Sequence, residues 1–275
     1  MNPKYNYTDM HLHSKFSWDA QQTIDEIIES AEKAGVLYAG VAEHIDFPAD
    51  HRRPAAAFDF RGYSDAVEKA GKKFPGIRKG IEAGEPYLFK DAFEEFIKEK
   101  EIDYILGSVH RVGKLTPVYD SYFSAHDNYD KAYALYFEEV KKLVSYGNFD
   151  IAAHLNIVHR RGAEFNRDFT YEKFKTIIDE ILKIMVDNNV GLEVNTSGLR
   201  YSAENILPDA EIIKAYMNFG GDIITVGSDA HTQDEIFFGL EKAFEILESL
   251  GAEHTAVFDK RKPVKIPLLK EGAPE

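Results

Sequence analysis

Residues 222–231 read DIITVGSDAH, a short run of apolar, β-forming residues that ends in an acid and a histidine spaced by two, Asp229 and His231. Residues 5–13 read YNYTDMHLH and end in the same spacing, at His11 and His13. Other apolar runs end at Glu43-His44, Glu82, Ser108-Val109-His110 and Ala153-His154. A parallel barrel brings the C-terminal ends of its strands together. The pattern therefore indicates a fold in which these side chains meet.

Strand-like and helix-like segments alternate along the chain, in about seven pairs. The predicted strands are Tyr5–His11, Leu37–Ala42, Ile77–Glu82, Ile102–Val109, Asp150–Ala153, Val190–Asn195 and Asp222–Val226, with a final short strand at Thr255–Phe258. The predicted helices are Thr23–Lys33, Ala92–Lys100, Tyr129–Tyr146, Tyr171–Asn188, Ala210–Phe219 and Glu235–Leu250. Such alternation indicates a parallel sheet, although an open, doubly wound sheet gives a similar pattern. No glycine-rich phosphate loop follows the first strand, which argues against a dinucleotide-binding fold.

The composition is that of an acidic globular protein. The chain has 275 residues, 44% of them hydrophobic, and a net charge of −14. A surface this acidic repels phosphate backbones, so we expect no nucleic-acid partner. Cysteine is absent, which excludes thiolate metal sites, and no apolar run approaches the roughly 20 residues of a membrane span. We expect one domain over residues 1–275, a cytoplasmic location, and no association with a membrane.

The residue types at the strand ends are metal ligands. Histidine nitrogens and carboxylate oxygens bind divalent cations, and such cations activate water for hydrolysis. Each fragment alone has an ordinary explanation, because a single histidine is more often a core residue and a single acid more often a solvated strand end. Coincidence at every strand end is improbable, so the set predicts metal-assisted hydrolysis.

In this order, the fragments resemble the PHP superfamily, which is named for polymerase and histidinol phosphatase. The resemblance runs from Asp9 to His231, and each of the nine ligand positions of that family can be filled here. Residues 195–200 read NTSGLR, which is similar to the same stretch of histidinol-phosphate phosphatases. The resemblance implies an α/β fold, a distorted, TIM-like (β/α)7 barrel with a metal site at the C-terminal ends of its strands.

The resemblance also implies how three divalent transition metals would be held, with zinc expected and manganese or iron left open. By position, the ligands would be His11, His13, Glu82 and Asp229 for one metal, Glu82, His110 and His154 for a second, and Asp19, His44 and His231 for a third. Many members have histidine where this chain has Asp19. Three carboxylates against three divalent cations leave a positive surplus, which suits an anionic phosphate ester.

The expected reaction is hydrolysis of L-histidinol phosphate, in histidine biosynthesis, by a hydroxide held between two metals. The expected catalytic residues are Glu82, Asp229 and His231, and the proton for the leaving group could come from Asp229, His231 or a water. The expected substrate-binding residues are Arg160, Arg200 and Ser197. Arginine suits this role because its planar fork can donate two hydrogen bonds to one phosphate. The expected partner is therefore a small phosphate ester; the oligomeric state stays open.

Three other interpretations remain open from the sequence. One is a PHP-type phosphoesterase that acts on a different small phosphate ester. Another is an amidohydrolase-like barrel that acts on C–N bonds, although no lysine stands at an obvious strand end. The last is a non-catalytic PHP module, which is disfavoured because such modules lose ligands and every ligand position is filled here.

Overall fold

The computed structural model describes residues 1–47, 58–165 and 169–272. Within these ranges, seven parallel strands form one sheet in the order in which they occur along the chain. They are β1 Thr8–Leu12, β2 Tyr38–Asp46, β3 Ile77–Gly84, β4 Tyr104–Ser108, β5 Ile151–Ala152, β6 Gly191–Asn195 and β7 Ile224–Gly227. A sheet in sequential order with parallel neighbours curls toward a barrel.

The barrel closes where the end of β1 meets the segment after β7. The amide of Asp229 donates to the carbonyl of His11 at 2.7 Å, and the amide of His13 donates to the carbonyl of Ala230 at 3.1 Å. This seam lies at the C-terminal ends of the strands. The sheet is therefore a nearly closed barrel, which confirms the predicted distorted (β/α)7 fold.

Helices surround the sheet. They are α1 Ile24–Ala34, α2 Phe60–Gly71, α3 Lys90–Ile97, α4 Asp120–Ser124, α5 Tyr129–Tyr146, α6 Val158–Gly162, α7 Lys175–Asp187, α8 Ala210–Asn218 and α9 Leu240–Ser249. Short 3₁₀ helices occupy Pro86–Leu88, Glu172–Phe174, Ser197–Arg200 and Gln233–Glu235. Across the described parts of the chain, no helix has the length and apolar character needed to span a membrane.

Helix α1 shows how local sequence sets an element's limits. The Thr23 hydroxyl accepts from the amide of Glu26, and the Glu26 carboxylate accepts from the amide of Thr23, which is a capping box. Gly35 ends the helix with a φ of 72°, in the left-handed region that glycine adopts at little cost. The buried side chains of the helix include Ile24, Ile27 and Ile28. Its apolar face therefore packs onto the barrel.

Three helices, α2, α4 and the short α6, were not predicted from the sequence, and one predicted loop cannot be compared. Helix α2 buries Tyr63, Val67 and Ala70, which follow helical spacing, so its amphipathic pattern is present in the sequence although it was not recognised. Helix α4 is a short helix inside what reads as a loop between β4 and α5. A turn-rich loop predicted over residues 48–54 lies outside the described residues.

A hairpin covers the end of the barrel opposite the seam. The predicted final strand lies within β8, His254–Asp259, which pairs antiparallel with β9, Lys262–Pro267, rather than joining the barrel. The Arg261 amide donates to the Asp103 carbonyl at 2.7 Å, and its side chain binds the Asp150 carboxylate. Asp103 and Asp150 directly precede β4 and β5. The hairpin is therefore held to the N-terminal ends of the strands.

The Tyr104 side chain fills the barrel interior above this hairpin. Its ring lies 6.4 Å from that of Phe258, and it is fully buried. Two glycines, Gly40 in β2 and Gly80 in β3, make room for it, because a Cβ at either position would overlap the Tyr104 ring or hydroxyl. Close packing of this kind leaves no room for an added methyl group.

Replacing Gly80 with alanine is expected to lower the free energy of unfolding by about 1–3 kcal/mol, because the new methyl collides with a buried ring. Gly71→Ala is the matched control. A Cβ at Gly71 meets Ile77 at an ordinary 3.6 Å, so this change should leave stability unchanged or slightly higher. Urea denaturation measures both. Equal stabilities for the two variants would contradict this account of the interior.

Candidate metal centre

The C-terminal end of the barrel gathers the predicted ligands from nearly every strand. His11 lies in β1, His44 in β2 and Glu82 in β3. The others follow strand ends: His13 and Asp19 come after β1, His110 after β4, His154 after β5, and Asp229 and His231 after β7. The structure therefore brings together side chains that are up to 220 positions apart in the sequence, from His11 to His231.

The first group consists of His11, His13, Glu82 and Asp229. The Nε2 atoms of His11 and His13 are 3.1 Å apart. Glu82 Oε2 lies 3.3 Å from the first and 3.4 Å from the second. Asp229 Oδ1 lies 3.7 Å and 3.5 Å from the same two nitrogens. Ligands bound tetrahedrally at about 2.1 Å stand about 3.4 Å apart, so these four atoms surround a space of the size that a metal ion needs.

The second group forms around the other oxygen of Glu82. Its Oε1 lies 2.9 Å from His110 Nε2 and 2.9 Å from His154 Nε2, and it accepts a hydrogen bond from the Ser108 hydroxyl at 2.6 Å. One carboxylate thus faces two groups of imidazoles with its two oxygens. A carboxylate placed in this way can bridge two metals.

The third group consists of Asp19, His44 and His231. Asp19 Oδ2 lies 3.5 Å from His44 Nε2 and 3.6 Å from His231 Nε2, and the two nitrogens are 3.4 Å apart. The other ring nitrogen of His44 lies 2.9 Å from Glu82 Oε2. The third group is therefore continuous with the first, and the division of the ligands among three ions remains a prediction.

The charges in the cluster reinforce one another. Burial opposes ionisation of Glu82, but the imidazoles of His110 and His11 outweigh it and hold its pKa well below the ordinary value. Burial also lowers the pKa of His44, whereas Glu82 and Asp19 raise it, to about 10. Burial raises the pKa of Asp19, but His44 lowers it to about 2. The ionised carboxylates stabilise positive charge in the cluster, and metal cations bound there in place of the imidazole protons would be stabilised in the same way.

Buried polar atoms without partners give an independent sign of the same chemistry. Among the described residues, Asp19 Oδ1 is buried and forms no hydrogen bond, while Glu82 Oε2 and His44 Nδ1 are buried and lie 2.9 Å apart without the geometry of a hydrogen bond. Buried polar atoms are normally paired, and each exception needs an explanation. Glu82 Oε2 and His44 Nδ1 lie inside the cluster, where a cation would satisfy them. The donor set, the spacings and the unpaired atoms all fit divalent metals.

Two acids that were assigned no role from the sequence support the imidazoles. Glu193 Oε1, on β6, lies 2.6 Å from His11 Nδ1. Glu43 binds the Ser17 hydroxyl, whose oxygen is 3.2 Å from His13 Nδ1. Glu193 stands inside an apolar strand run and Glu43 at the end of one, and a buried acid in such a position was the only available signal.

Asp9 has a different role from the one that its spacing suggests. The spacing places it on one strand face with His11 and His13, where its carboxylate could orient an imidazole. A shift of register between Asp9 and Leu12 interrupts that regular alternation. Asp9 Oδ1 instead accepts from the amides of His11 at 3.1 Å and Ser228 at 3.0 Å, so it holds the barrel seam.

A cavity of about 360 Å³ opens beside the cluster. This is within the size range of pockets that take small molecules. Besides seven of the nine predicted ligands, its walls include Trp18, Arg111, Lys114, Tyr119 and Arg160. A small molecule that entered this cavity from solvent would therefore meet three cationic and two aromatic side chains.

The predicted substrate-binding residues are placed differently from one another. Arg160 lines the cavity, and its Nη1 lies 3.3 Å from Asp229 Oδ2. Arg200 instead donates to the carbonyls of Ser228 at 2.8 Å and Asp229 at 3.0 Å, and does not line the cavity. Ser197 is fully buried and also lies outside the cavity wall. The structure thus brings Arg160 to the cavity, while Arg200 supports the backbone of the Asp229 loop.

Comparison with known proteins agrees with the geometry. The PHP domain family matches residues 9–197. A probable histidinol-phosphatase of Clostridium acetobutylicum is 28% identical over 260 residues, which cover 92% of this chain and 97% of the relative. A probable histidinol-phosphatase of Thermotoga maritima is 30% identical over 264 residues, 94% of this chain and 99% of the relative.

A solved structure has the same fold. It is histidinol phosphate phosphatase from Lactococcus lactis subsp. lactis, complexed with zinc, L-histidinol and phosphate. It superposes with a TM-score of 0.86 at 23% sequence identity, covering 94% of this chain and 99% of that chain. Because the family match covers more than half of the sequence, this chain belongs to the PHP domain family.

Proposed function

We propose that this protein is a metal-dependent phosphomonoesterase that hydrolyses L-histidinol phosphate to L-histidinol and phosphate. The observation that carries the proposal is the position of Glu82, whose two oxygens face two groups of imidazoles beside a cavity that Arg160 lines. The names of the two relatives support the choice of substrate. A role in histidine biosynthesis and a cytoplasmic location are part of the same proposal.

The residues that would hold three divalent metals, zinc first among them, are His11, His13, Asp19, His44, Glu82, His110, His154, Asp229 and His231. Bound metals of this kind supply a hydroxide nucleophile near neutral pH and neutralise phosphate charge. The fold of the chain sets the positions of these nine ligands. Glu82 is nearly completely buried, at 1% exposure, which strengthens the electrostatic interactions of its carboxylate.

Arg160 would bind the phosphate oxygens of the substrate. Its contact with Asp229 and its position 4.6 Å over the ring of Tyr201 fix the guanidinium at the border between cluster and open cavity. Arg111 and Lys114 add positive charge to the same wall. Asp229 and His231 also line the cavity, so either residue, once it has taken up the proton released by the attacking water, or a water itself, would supply the proton that the leaving alkoxide takes up.

Replacing Glu82 with glutamine is expected to lower kcat by more than about 100-fold. Mutation of a residue that only supports a metal ligand already lowers activity by up to about 100-fold, and Glu82 is proposed to bind metal directly. Glutamine keeps the size of the side chain but cannot bridge two cations as a carboxylate does. Elemental analysis should show reduced metal content in the same sample. Wild-type turnover together with full metal content would rule out the bridging role.

Arg160→Lys is expected to lower kcat/KM on the order of 10- to 100-fold, because lysine keeps the charge but loses the two-pronged contact with phosphate. Arg161→Lys is the matched control. Its guanidinium binds Asp120 and Glu164 on the surface, so the change should have little effect. Steady-state kinetics measure both variants. Equal effects at the two positions would show that Arg160 does not bind the substrate.

The reaction itself is tested with a panel of small phosphate esters at fixed metal concentration. We expect L-histidinol phosphate to have the highest kcat/KM. We also expect a chelator to abolish turnover and lower the melting temperature, because ions that bind only the folded state stabilise it. A higher rate on a sugar phosphate or nucleotide would assign the site to another ester. Activity that survives complete metal removal would refute metal catalysis.

A further inference from the structure

Among the described residues, Glu193 is a carboxylate outside the nine proposed ligands that contacts two of them. It lies in β6 with only 1% of its surface exposed. Its Oε1 is 2.6 Å from the ring Nδ1 of His11, and its Oε2 accepts from the backbone amide of His154 at 2.6 Å. His11 belongs to the first ligand group and His154 to the second. A single side chain therefore connects both groups.

We propose that Glu193 is a positioning residue that fixes the tautomer of His11 and the backbone of His154, and thereby holds the two metal-binding groups in register. This inference rests on the proposed metal centre. It concerns a residue that is neither a ligand nor a part of the substrate cavity.

The hydrogen-bond pattern requires a group at position 193 that only accepts. Asn195 Oδ1 accepts from the Ser197 amide at 2.9 Å, so the Asn195 side-chain nitrogen is the atom that faces Glu193, at 3.1 Å. Together with the amide of His154, this places two donors on Oε2. The remaining contact joins Glu193 Oε1 and His11 Nδ1. It is a hydrogen bond when Nδ1 carries the proton, because a carboxylate oxygen can only accept.

The tautomer matters because it leaves the other ring nitrogen of His11 free. His11 Nε2 is the atom that lies 3.1 Å from His13 Nε2 and 3.3 Å from Glu82 Oε2. A proton on Nδ1, donated to a carboxylate, keeps the lone pair of Nε2 available and makes it a stronger ligand. Histidines that bind metals are commonly oriented in this way.

The contact with His154 holds a backbone conformation that is otherwise unfavourable. His154 has a φ of 27°, outside the regions that a residue with a side chain normally adopts. Strain of this kind persists only where the surroundings enforce it. The bond from the His154 amide to Glu193 is one such restraint, and it directs the imidazole toward Glu82 Oε1, 2.9 Å away.

Gly227 gives the pair its space. A Cβ at this position of β7 would overlap both Glu193 Oε1 and the Cβ of His11. Position 227 therefore admits glycine alone as long as the Glu193–His11 contact is in place. This offers a second way to disturb the contact while the carboxylate itself is retained.

The test compares metal affinity in four proteins: the wild type, Glu193→Gln, Gly227→Ala and the control Asp150→Asn. Glutamine at 193 cannot satisfy all three donors, because its amide nitrogen would face either the His154 amide or His11 Nδ1. We expect Zn²⁺ to bind 10- to 100-fold more weakly to Glu193→Gln and to Gly227→Ala in a chelator competition. Asp150 lies at the opposite end of the barrel, so Asp150→Asn should keep wild-type affinity.

Kinetics separate positioning from general damage. At saturating Zn²⁺, Glu193→Gln should show a lower kcat with KM for the phosphate ester unchanged, because residue 193 does not touch the cavity. Wild-type zinc affinity and kcat in Glu193→Gln would overturn the inference. If the wild type itself binds no metal and has no phosphatase activity, it is the proposed function that fails.

A measurement on the unmodified protein covers the case in which the variants do not fold. In the zinc-loaded wild type, ¹⁵N NMR should show His11 as the Nδ1–H tautomer, with its proton shifted downfield by the bond to a carboxylate. The His11 signal is assigned by its absence from the His11→Gln variant. A proton on Nε2 of His11 would contradict the inference.

Discussion

The structure depends on one buried carboxylate among imidazoles. The Glu82 oxygens lie 2.9 Å from rings of His44, His110 and His154, and 3.3 Å and 3.4 Å from those of His11 and His13. An isolated carboxylate at this depth would be costly to ionise. The imidazoles reverse that cost and hold the pKa of Glu82 low. Five strand ends must therefore converge on this point, and the barrel provides that convergence.

The two ends of the barrel divide stability from chemistry. At the N-terminal end, the β8–β9 hairpin and the Tyr104 side chain fill the interior with apolar contacts. At the C-terminal end, the β1–β7 seam is joined by backbone bonds from His13 and Asp229, which are themselves proposed ligands. The closure of the barrel and the assembly of the site are thus the same event. A change that opens the seam is expected to disturb both.

Much of this architecture could be predicted from the sequence, since ligands stand directly after apolar runs and parallel strands align their ends. The helix Tyr129–Tyr146 has the predicted limits, because an Asn cap and Gly147 mark its ends and its buried residues follow helical spacing. Helix α2 was not predicted, although its buried residues Tyr63, Val67 and Ala70 follow helical spacing. The nine predicted ligands lie together, although their assignment to metals is still a proposal.

The parts that could not be predicted depend on partners that are distant in sequence. Glu193 contacts a histidine 182 positions away, and nothing near it in the chain signals that contact. Arg200 follows a strand and was expected at the phosphate, but its direction is set by the carbonyls of Ser228 and Asp229. The position of Asp9 relative to the histidines depends on a local shift of strand register. Such features arise from tertiary packing, which a linear pattern does not contain.

The most direct test of the account is a crystal structure with anomalous scattering data collected at the absorption edge of the metal. We expect peaks between the three ligand groups, with one pair of peaks sharing the two oxygens of Glu82. Density that shows no metal at this end of the barrel, or metal bound without Glu82, would contradict the central claim.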